Sequence, residues 1–181
     1  ISSRFAPEKH AAIEHLLAGA LEVLEQHQNV HLALVGDGDD DFSRTLRRRL
    51  KAHPQHGRIS TLGFCDRVTL SEAFHAADAV LFAQPSISCQ EALGTGAYGV
   101  FADDGSMDWL LRTPQDGCFY ETGEHDELVS ALEYTVDFLN GMEPQARHLR
   151  AERAGRLSYS QIIDDVLETL EQLTGEQHSD D

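Results

Sequence analysis

Residues 82–102, FAQPSISCQEALGTGAYGVFA, carry the clearest structural pattern in this chain. An apolar strand stops at Pro85, a Ser-rich loop follows, and a helix is expected to begin around Glu91. The small residues Gly94 and Gly96 then lead into a second apolar strand. In such a strand–helix–strand unit the helix N-terminus lies above the strand ends, where its free N–H groups attract anions. The stretch therefore predicts a site that holds phosphate.

Apolar strands alternate with amphipathic helices along most of the remaining chain. The repetition predicts an α/β protein with a Rossmann-like, doubly wound parallel sheet, helices on both faces and a helical C-terminal tail. The predicted helices lie at 8–26, 42–50 and 67–75, from about 91, and at 107–112, 128–139 and 158–170. The predicted strands lie at 30–35, 58–62, 79–82, 99–102 and 118–120.

The pattern also divides the chain into regions. Residues 1–122 are expected to form the sheet-containing core, residues 123–175 a set of helices packed on the same domain, and residues 176–181 a disordered tail. The first three residues have the character of the end of a strand, so we expect further chain upstream.

Charge and cysteine content restrict the possible partners. The formal net charge is −17, from 14 basic and 31 acidic residues, so neither nucleic acid nor an anionic membrane is expected to bind. No run approaches the roughly 18 apolar residues that a membrane span requires. The three cysteines are expected to be reduced thiols of a cytoplasmic protein. The ten histidines lack ligand spacing, so no metal site is expected.

Arg4 and Lys9 are the first candidate site residues. They flank a strand-to-helix turn, and a lysine in the opening turn of a helix opposes the helix dipole by about 0.3–1 kcal/mol. Helix stability does not require Lys9, so one interpretation is that the pair binds an anion. The alternative is a solvated lysine and an arginine paired with a surface carboxylate.

Glu91 and the glycines after the strand at 30–35 each allow two interpretations. Glu91 either completes a Ser-x-x-Glu capping box with Ser88 or accepts hydrogen bonds from vicinal hydroxyls of a ligand. Gly36 and Gly38 either form a tight turn or part of a dinucleotide site. A dinucleotide fingerprint is the weaker interpretation, because Asp41 replaces its third glycine and Asp39–Asp41 would repel a pyrophosphate.

Six segments carry a family resemblance: SRFAPEK at 3–9, LVGDG at 34–38, RISTLGF at 58–64, AADAVLFAQPS at 76–86, QEALGTGAYGVFAD at 90–103 and LSYSQIIDDVLETL at 157–170. In this order and spacing they resemble the C-terminal, donor-binding half of the retaining GT-B glycosyltransferases, the glycosyl transferases group 1. This family includes glycogen synthases and many mannosyl- and glucosyltransferases. The resemblance spans almost the whole chain.

The resemblance implies a site for a nucleotide-diphosphate sugar, such as a UDP- or GDP-sugar, with no cofactor and no metal. Arg4 and Lys9 would stabilise the leaving diphosphate, and Glu91 would bind the ribose hydroxyls. The backbone around Gly36 would lie near the phosphates. The turn at Gly63 and Phe64 would approach the base.

One departure concerns the sugar. Relatives carry a further glutamate eight residues before the ribose-binding one, where this chain has Ala83, and the loop before Glu91 is about six residues short. The sugar contacts are therefore expected from Ser86, Ile87 and Ser88. The resemblance then implies metal-independent hexosyl transfer to an acceptor hydroxyl, with retention of configuration.

In the GT-B fold, an N-terminal half would hold the acceptor, a glycan or a lipid-linked sugar. The resemblance therefore implies that this chain binds donor but does not turn it over alone. In relatives the last helix packs towards that half, so its apolar stripe is expected to be partly uncovered and to drive self-association. Two alternatives stay open: half of a nucleotide-sugar epimerase, and a degenerate binding module without catalysis.

Overall fold

A computed structural model describes residues 1–3, 5–82, 84–143 and 145–175. Its helices are α1 (His10–Gln26), α2 (Asp41–Lys51), α3 (Arg67–Ala76), α4 (Ile87–Gly94), α5 (His125–Asn140), α6 (Ala146–Ala154) and α7 (Tyr159–Gly175). Its strands are β1 (Leu32–Leu34), β2 (Ile59–Thr61), β3 (Ala79–Leu81), β4 (Tyr98–Asp103) and β5 (Gly117–Glu121). Three short 3-10 turns lie at Pro7–Lys9, His56–Arg58 and Gly155–Leu157.

The strands run parallel in two ladders, β1 with β2 and β3 with β4 and β5. The N-terminal segment, residues 1–3, joins the two ladders. Ser2 bridges to Val35 in parallel, and its N–H donates to the Leu81 oxygen at 3.0 Å. When this segment is counted as the first strand, the spatial order is 3-2-1-4-5-6, which is the order of a dinucleotide-binding α/β sheet. The prediction of a doubly wound parallel sheet is confirmed.

Helices cover both faces of this sheet. One buried cluster joins α1, α2 and α5 to β1 and β4, with Leu17, Leu34 and Leu128 fully buried in it. A second cluster joins α3 and α4 to the other side of β3 and β4, around Phe101 and Cys89. Because β4 is buried on both faces, its apolar run shows no alternation between apolar and polar residues.

Helix α6 and the 3-10 turn after it are held to the rest of the domain by four arginines, one every three residues, rather than by an apolar face. Arg147 donates to carbonyl oxygens at the C-terminal ends of α3 and α4 at 2.9–3.1 Å. Arg150 donates from Nε to the Gly96 oxygen at 2.7 Å, and burial lowers its pKa. Arg153 and Arg156 bind the loop that precedes β5. Guanidinium groups satisfy helix-end carbonyls and complement the negative end of the dipole.

Two local predictions are wrong, and one helix was not predicted. Helix α4 begins at Ile87 rather than Glu91, because a helical turn directly after Pro85 brings Cys89 into the core. Residues 107–112 form turns around buried Met107 and Leu110 rather than a helix. Helix α6 was not predicted from the sequence. The predicted disordered tail, 176–181, lies outside the described residues.

Helix α7 ends the described chain with an uncovered apolar stripe. The Ser158 hydroxyl accepts from the Gln161 N–H at 3.2 Å and so caps the start of this helix. The exposed stripe consists of Ile162, Ile163, Val166, Leu167, Leu170 and Leu173. Self-association through this stripe stays a prediction. No helix within the described ranges has the length and apolar character needed to span a membrane.

Candidate functional site

The order of the strands locates the candidate site. It reverses between the N-terminal segment and β3, and in open α/β sheets ligands bind at the carboxyl ends of strands beside such a reversal. The chain leaves the relevant strand ends at Phe5, Gly36 and Phe82. Helix α4 starts a few residues after Phe82, so its N-terminus lies at this same edge.

No hydrogen bond from the N-cap side chain closes the N-terminus of α4. Ser86 is the N-cap residue, with extended backbone, and its side chain makes no capping hydrogen bond. Ser86 and Ile87 are exposed, and Ser88 is half-buried. In contrast, the carboxylates of Asp40 and Asp66 cap α2 and α3. Among the described residues the Cys89 N–H donates to the Ser86 oxygen at 3.0 Å, which leaves the N–H groups of Ile87 and Ser88 as those that an anion from outside can bind.

Lys9 acts electrostatically on this helix start. It ends the 3-10 turn before α1 and is half-buried. Burial raises the pKa of Cys89 in the first turn of α4, and hydrogen bonding from Ser86 and the positive charge of Lys9 oppose that rise. The Lys9 charge therefore has a small electrostatic effect at the N-terminus of α4. Its expected companion, Arg4, lies outside the described residues.

The turns after β1 and β2 are hydrogen-bonded to each other. Gly36, at φ 105°, donates from its N–H to the oxygen of Gly63, at φ 68°, over 2.8 Å. The Gly63 N–H donates to Oδ1 of Asp37 at 2.9 Å. The Gly38 N–H donates to Ser43 Oγ at 3.1 Å. The N–H groups of Gly36 and Gly38 are thus hydrogen-bonded within the protein and are not free to bind a phosphate.

The aspartates after Gly38 are engaged by α2. Asp40 caps that helix, and hydrogen bonds from Ser43 lower its pKa. Asp41 pairs with Arg44 at 2.7 Å. These carboxylates, which the sequence suggested would repel a pyrophosphate, therefore have partners of their own.

Phe64 presents an aromatic ring at this edge. Its side chain follows the Gly63 turn and is 74% exposed. Leu62, Val68 and Ile87 are exposed as well, at the end of β2 and at the starts of α3 and α4. An exposed aromatic ring with apolar neighbours can stack on a planar ligand.

Glu91 lies in the second turn of α4, so its interpretation as a helix cap is wrong. Its Oε1 is 3.6 Å from a guanidinium nitrogen of Arg67, the first residue of α3. Arg67 is almost fully exposed, and the Glu91 side chain is 37% exposed. An exposed pair of this kind contributes at most about 1 kcal/mol. The carboxylate can therefore exchange this partner for a ligand.

Three residues of this region, Asp37, Arg47 and Arg67, were not found from the sequence. The structure places Ser86, Ile87 and Ser88 at the start of α4 and Glu91 in its second turn. Lys9 lies at the end of the 3-10 turn before α1. The structure brings Gly36, Gly63 and Phe64 together at the neighbouring strand ends. An aspartate between two glycines is a weak signal, and nothing in the spacing points to its partner ten residues later.

A separate cavity of about 530 Å³ lies beside Ile1, between β1 and β3 and below α1, α3 and α5. Its lining is largely apolar, with His31 and Asp78 as its titratable side chains. This cavity has fewer polar and charged groups than the edge formed by the carboxyl ends of the strands, so it is the weaker candidate site. Within the described ranges, no three His, Cys, Asp or Glu side chains lie close enough to hold a metal ion.

Comparisons with solved structures agree with this fold. HepE from Anabaena, in complex with UDP, superposes with a TM-score of 0.70 at 22% identity, over 94% of this chain and 47% of that one. The pneumococcal O-GlcNAc transferase GtfA, in complex with UDP and GlcNAc, gives 0.70 at 18%, over 96% and 35%. The catalytic domain of cholesterol-α-glucosyltransferase from Helicobacter pylori gives 0.65 at 18%, over 87% and 96%.

This chain thus spans less than half the length of HepE and GtfA. No curated protein matches its sequence. The family model described as "Glycosyl transferases group 1" matches residues 1–137, about three quarters of the chain. The chain therefore belongs to the glycosyl transferases group 1.

Proposed function

We propose that this chain is the nucleotide-sugar donor-binding half of a glycosyltransferase that transfers a hexosyl group to an acceptor hydroxyl. The observation that carries the proposal is the N-terminus of α4, which has no capping hydrogen bond from Ser86 and lies at the strand-order reversal, with Lys9 at the start of α1 as the nearby cation. A diphosphate fits this arrangement, because N–H groups and a cation both stabilise negative charge. Family membership favours a transferase over an epimerase.

The proposed chemistry places negative charge at this helix start. The bond between the sugar C1 and the phosphate oxygen breaks, and its electrons leave with the diphosphate. The acceptor hydroxyl oxygen bonds to C1, and its proton passes to an oxygen of the departing diphosphate. Lys9, Arg4 and the α4 amides would stabilise the leaving group without a metal ion. We extend the proposal to transfer with retention of configuration.

The remaining donor contacts follow from the positions of the side chains. Phe64 would stack on the base, and Glu91 would accept hydrogen bonds from the two ribose hydroxyls in place of its weak pairing with Arg67. The exposed Ser86 hydroxyl and the backbone at Ile87 and Ser88 would bind the sugar.

The acceptor would bind elsewhere in the full enzyme. HepE and GtfA, each more than twice the length of the matched region, support a second half that carries a glycan or lipid-linked sugar. We therefore expect this chain alone to bind donor without multiple turnover. The proposal includes a cytoplasmic location, which the three free cysteines support.

Calorimetric titration with UDP, ADP and GDP tests the proposal. We expect saturable binding of at least one of them. Lys9→Ala and Glu91→Ala should each weaken it about tenfold to a hundredfold, which corresponds to losing a charge-assisted hydrogen bond. Lys51→Ala is the matched control, because Lys51 is the other lysine and lies exposed at the end of α2.

Two outcomes would count against the proposal. No binding of any nucleoside diphosphate would leave a degenerate module as the better description. Equal losses in Lys9→Ala and Lys51→Ala would mean that the ligand responds to overall charge rather than to this site.

A further inference from the structure

Asp37 is a buried acid that the proposed chemistry does not use. It follows β1 and lies between Gly36 and Gly38, at the edge of the sheet where a diphosphate would bind. It is only 3% exposed. A buried carboxylate is costly unless it is paired and hydrogen-bonded, so its contacts should explain why it is there.

Its two oxygens bind two different elements. Oδ1 accepts from the Gly63 N–H at 2.9 Å, and Oδ2 forms an ion pair with Arg47 of α2. Arg47 also donates to the Gly38 oxygen at 2.7 Å. One carboxylate thus joins the turn after β1, the turn after β2 and α2. Arg47 compensates the negative charge of Asp37, so the carboxylate should repel a diphosphate bound at this edge of the sheet only weakly.

The turn after β2 has few other supports. Gly63 has a left-handed backbone, at φ 68°, and no regular structure follows it until Arg67. Besides the bond from its N–H to Asp37, Gly63 accepts at its oxygen from the Gly36 N–H at 2.8 Å and weakly from Cys65 Sγ at 3.7 Å. Phe64 comes next, with its ring exposed. The direction of that ring therefore depends on how Gly63 is held.

We propose that Asp37 is a positioning residue of the nucleotide site. By holding Gly63 against the β1 turn, it sets Phe64 where a base would stack. The inference rests on the proposed function, because it gives Phe64 a base to contact. Asp37 itself touches neither base nor phosphate.

Paired titrations separate base binding from phosphate binding. The Asp37→Ala variant, which has no acceptor for the Gly63 N–H, and the wild-type chain are titrated with UDP, ADP and GDP, and separately with inorganic pyrophosphate. We expect the best nucleotide to bind the variant about fivefold to tenfold more weakly, the equivalent of one buried hydrogen bond. Pyrophosphate should bind both alike. Asp39→Ala, two residues away and fully exposed, is the matched control and should change neither affinity.

A double-mutant cycle tests whether Asp37 acts through Phe64. Phe64→Ala removes an exposed ring, so the fold should survive, and it should cost about tenfold in nucleotide affinity, as loss of a stacked base does. In the Phe64→Ala background, Asp37→Ala should cost nothing further. If Asp37→Ala does not fold, Asp37→Ser serves in its place, because its hydroxyl ends one bond short of the position from which Oδ1 accepts the Gly63 N–H.

Specific results would overturn this inference alone. Equal loss of nucleotide and pyrophosphate affinity would make Asp37 merely structural, and so would additive losses in the double mutant. Unchanged nucleotide affinity in Asp37→Ala would show that the turn keeps its conformation without the bond to Asp37. Failure of the wild-type chain to bind any nucleoside diphosphate would instead overturn the proposed function, and with it this role for Asp37.

Discussion

Gly94 and Gly96 should respond in opposite ways to alanine. Gly96 has a left-handed backbone, at φ 79°. A Cβ there would overlap the backbone oxygen of Arg147 in α6 and lie 3.0 Å from its Cγ. Gly94 ends α4, and a Cβ there would meet nothing within 4 Å. Only Thr95 separates the two glycines, so the two substitutions differ mainly in backbone conformation and in the space around the added Cβ.

The magnitude follows from these contacts. A left-handed alanine costs about 1–2 kcal/mol. Backbone of α6 cannot rotate away, and displacing it would weaken the bond from Arg150 to the Gly96 oxygen, worth about 1.5–3 kcal/mol. A total of about 3–5 kcal/mol corresponds to a fall in Tm of roughly 10 °C for a chain of this size. Gly94→Ala should stabilise the protein by up to about 1 kcal/mol, because alanine is the better helix former.

Thermal and urea unfolding, followed by circular dichroism, measure both changes. The reasoning is refuted if Gly96→Ala melts within about 1 °C of the wild-type chain. It is also refuted if Gly94→Ala loses as much stability as Gly96→Ala. Either result would mean that α6 does not pack on the end of α4 as described.

Two further predictions concern the alkaline range and α7. Burial, aided by the charge of Asp104, raises the pKa of Tyr120 to about 12. Since the unfolded value is about 10, the stability from this phenol is complete below about pH 10 and is lost as the pH rises towards 12. Difference absorbance between wild type and Tyr120→Phe should show ionisation near pH 12, and ionisation near the unfolded value would contradict the burial. Truncation after Ser158 removes the exposed α7, so Tm should change by no more than about 2 °C while self-association in light scattering decreases. A larger loss of Tm would show that α7 supports the core.

Periodicity predicted most elements because burial produced it. The stripe of Ile13, Leu17 and Leu24 in α1 and the apolar runs of β3 and β4 are the surfaces that form the two cores. Such patterns are local, so they can be read without knowing which element packs on which. The doubly wound architecture follows from their alternation.

Hydrophobic periodicity did not predict elements that polar groups hold in place. Helix α6 carries Arg147 and Arg150 where a periodicity search looks for apolar residues, and it binds carbonyl oxygens that have no sequence signal. Conversely, Met107 and Leu110 resemble a helix face, but they are buried from a turn. Their spacing allowed either structure, and tertiary packing decided between them.

Local spacing predicted the α/β alternation and the strand-to-helix connections that carry Lys9, Glu91 and the glycine turns, because these features depend on neighbours along the chain. The groups that those residues contact depend instead on tertiary packing. It moved Glu91 from a helix cap to the second turn of α4, within reach of Arg67. It also joined Asp37 to Gly63, 26 residues away. That contact depends on how β1 and β2 align side by side, and strand alignment arises from packing of the whole sheet rather than from local spacing.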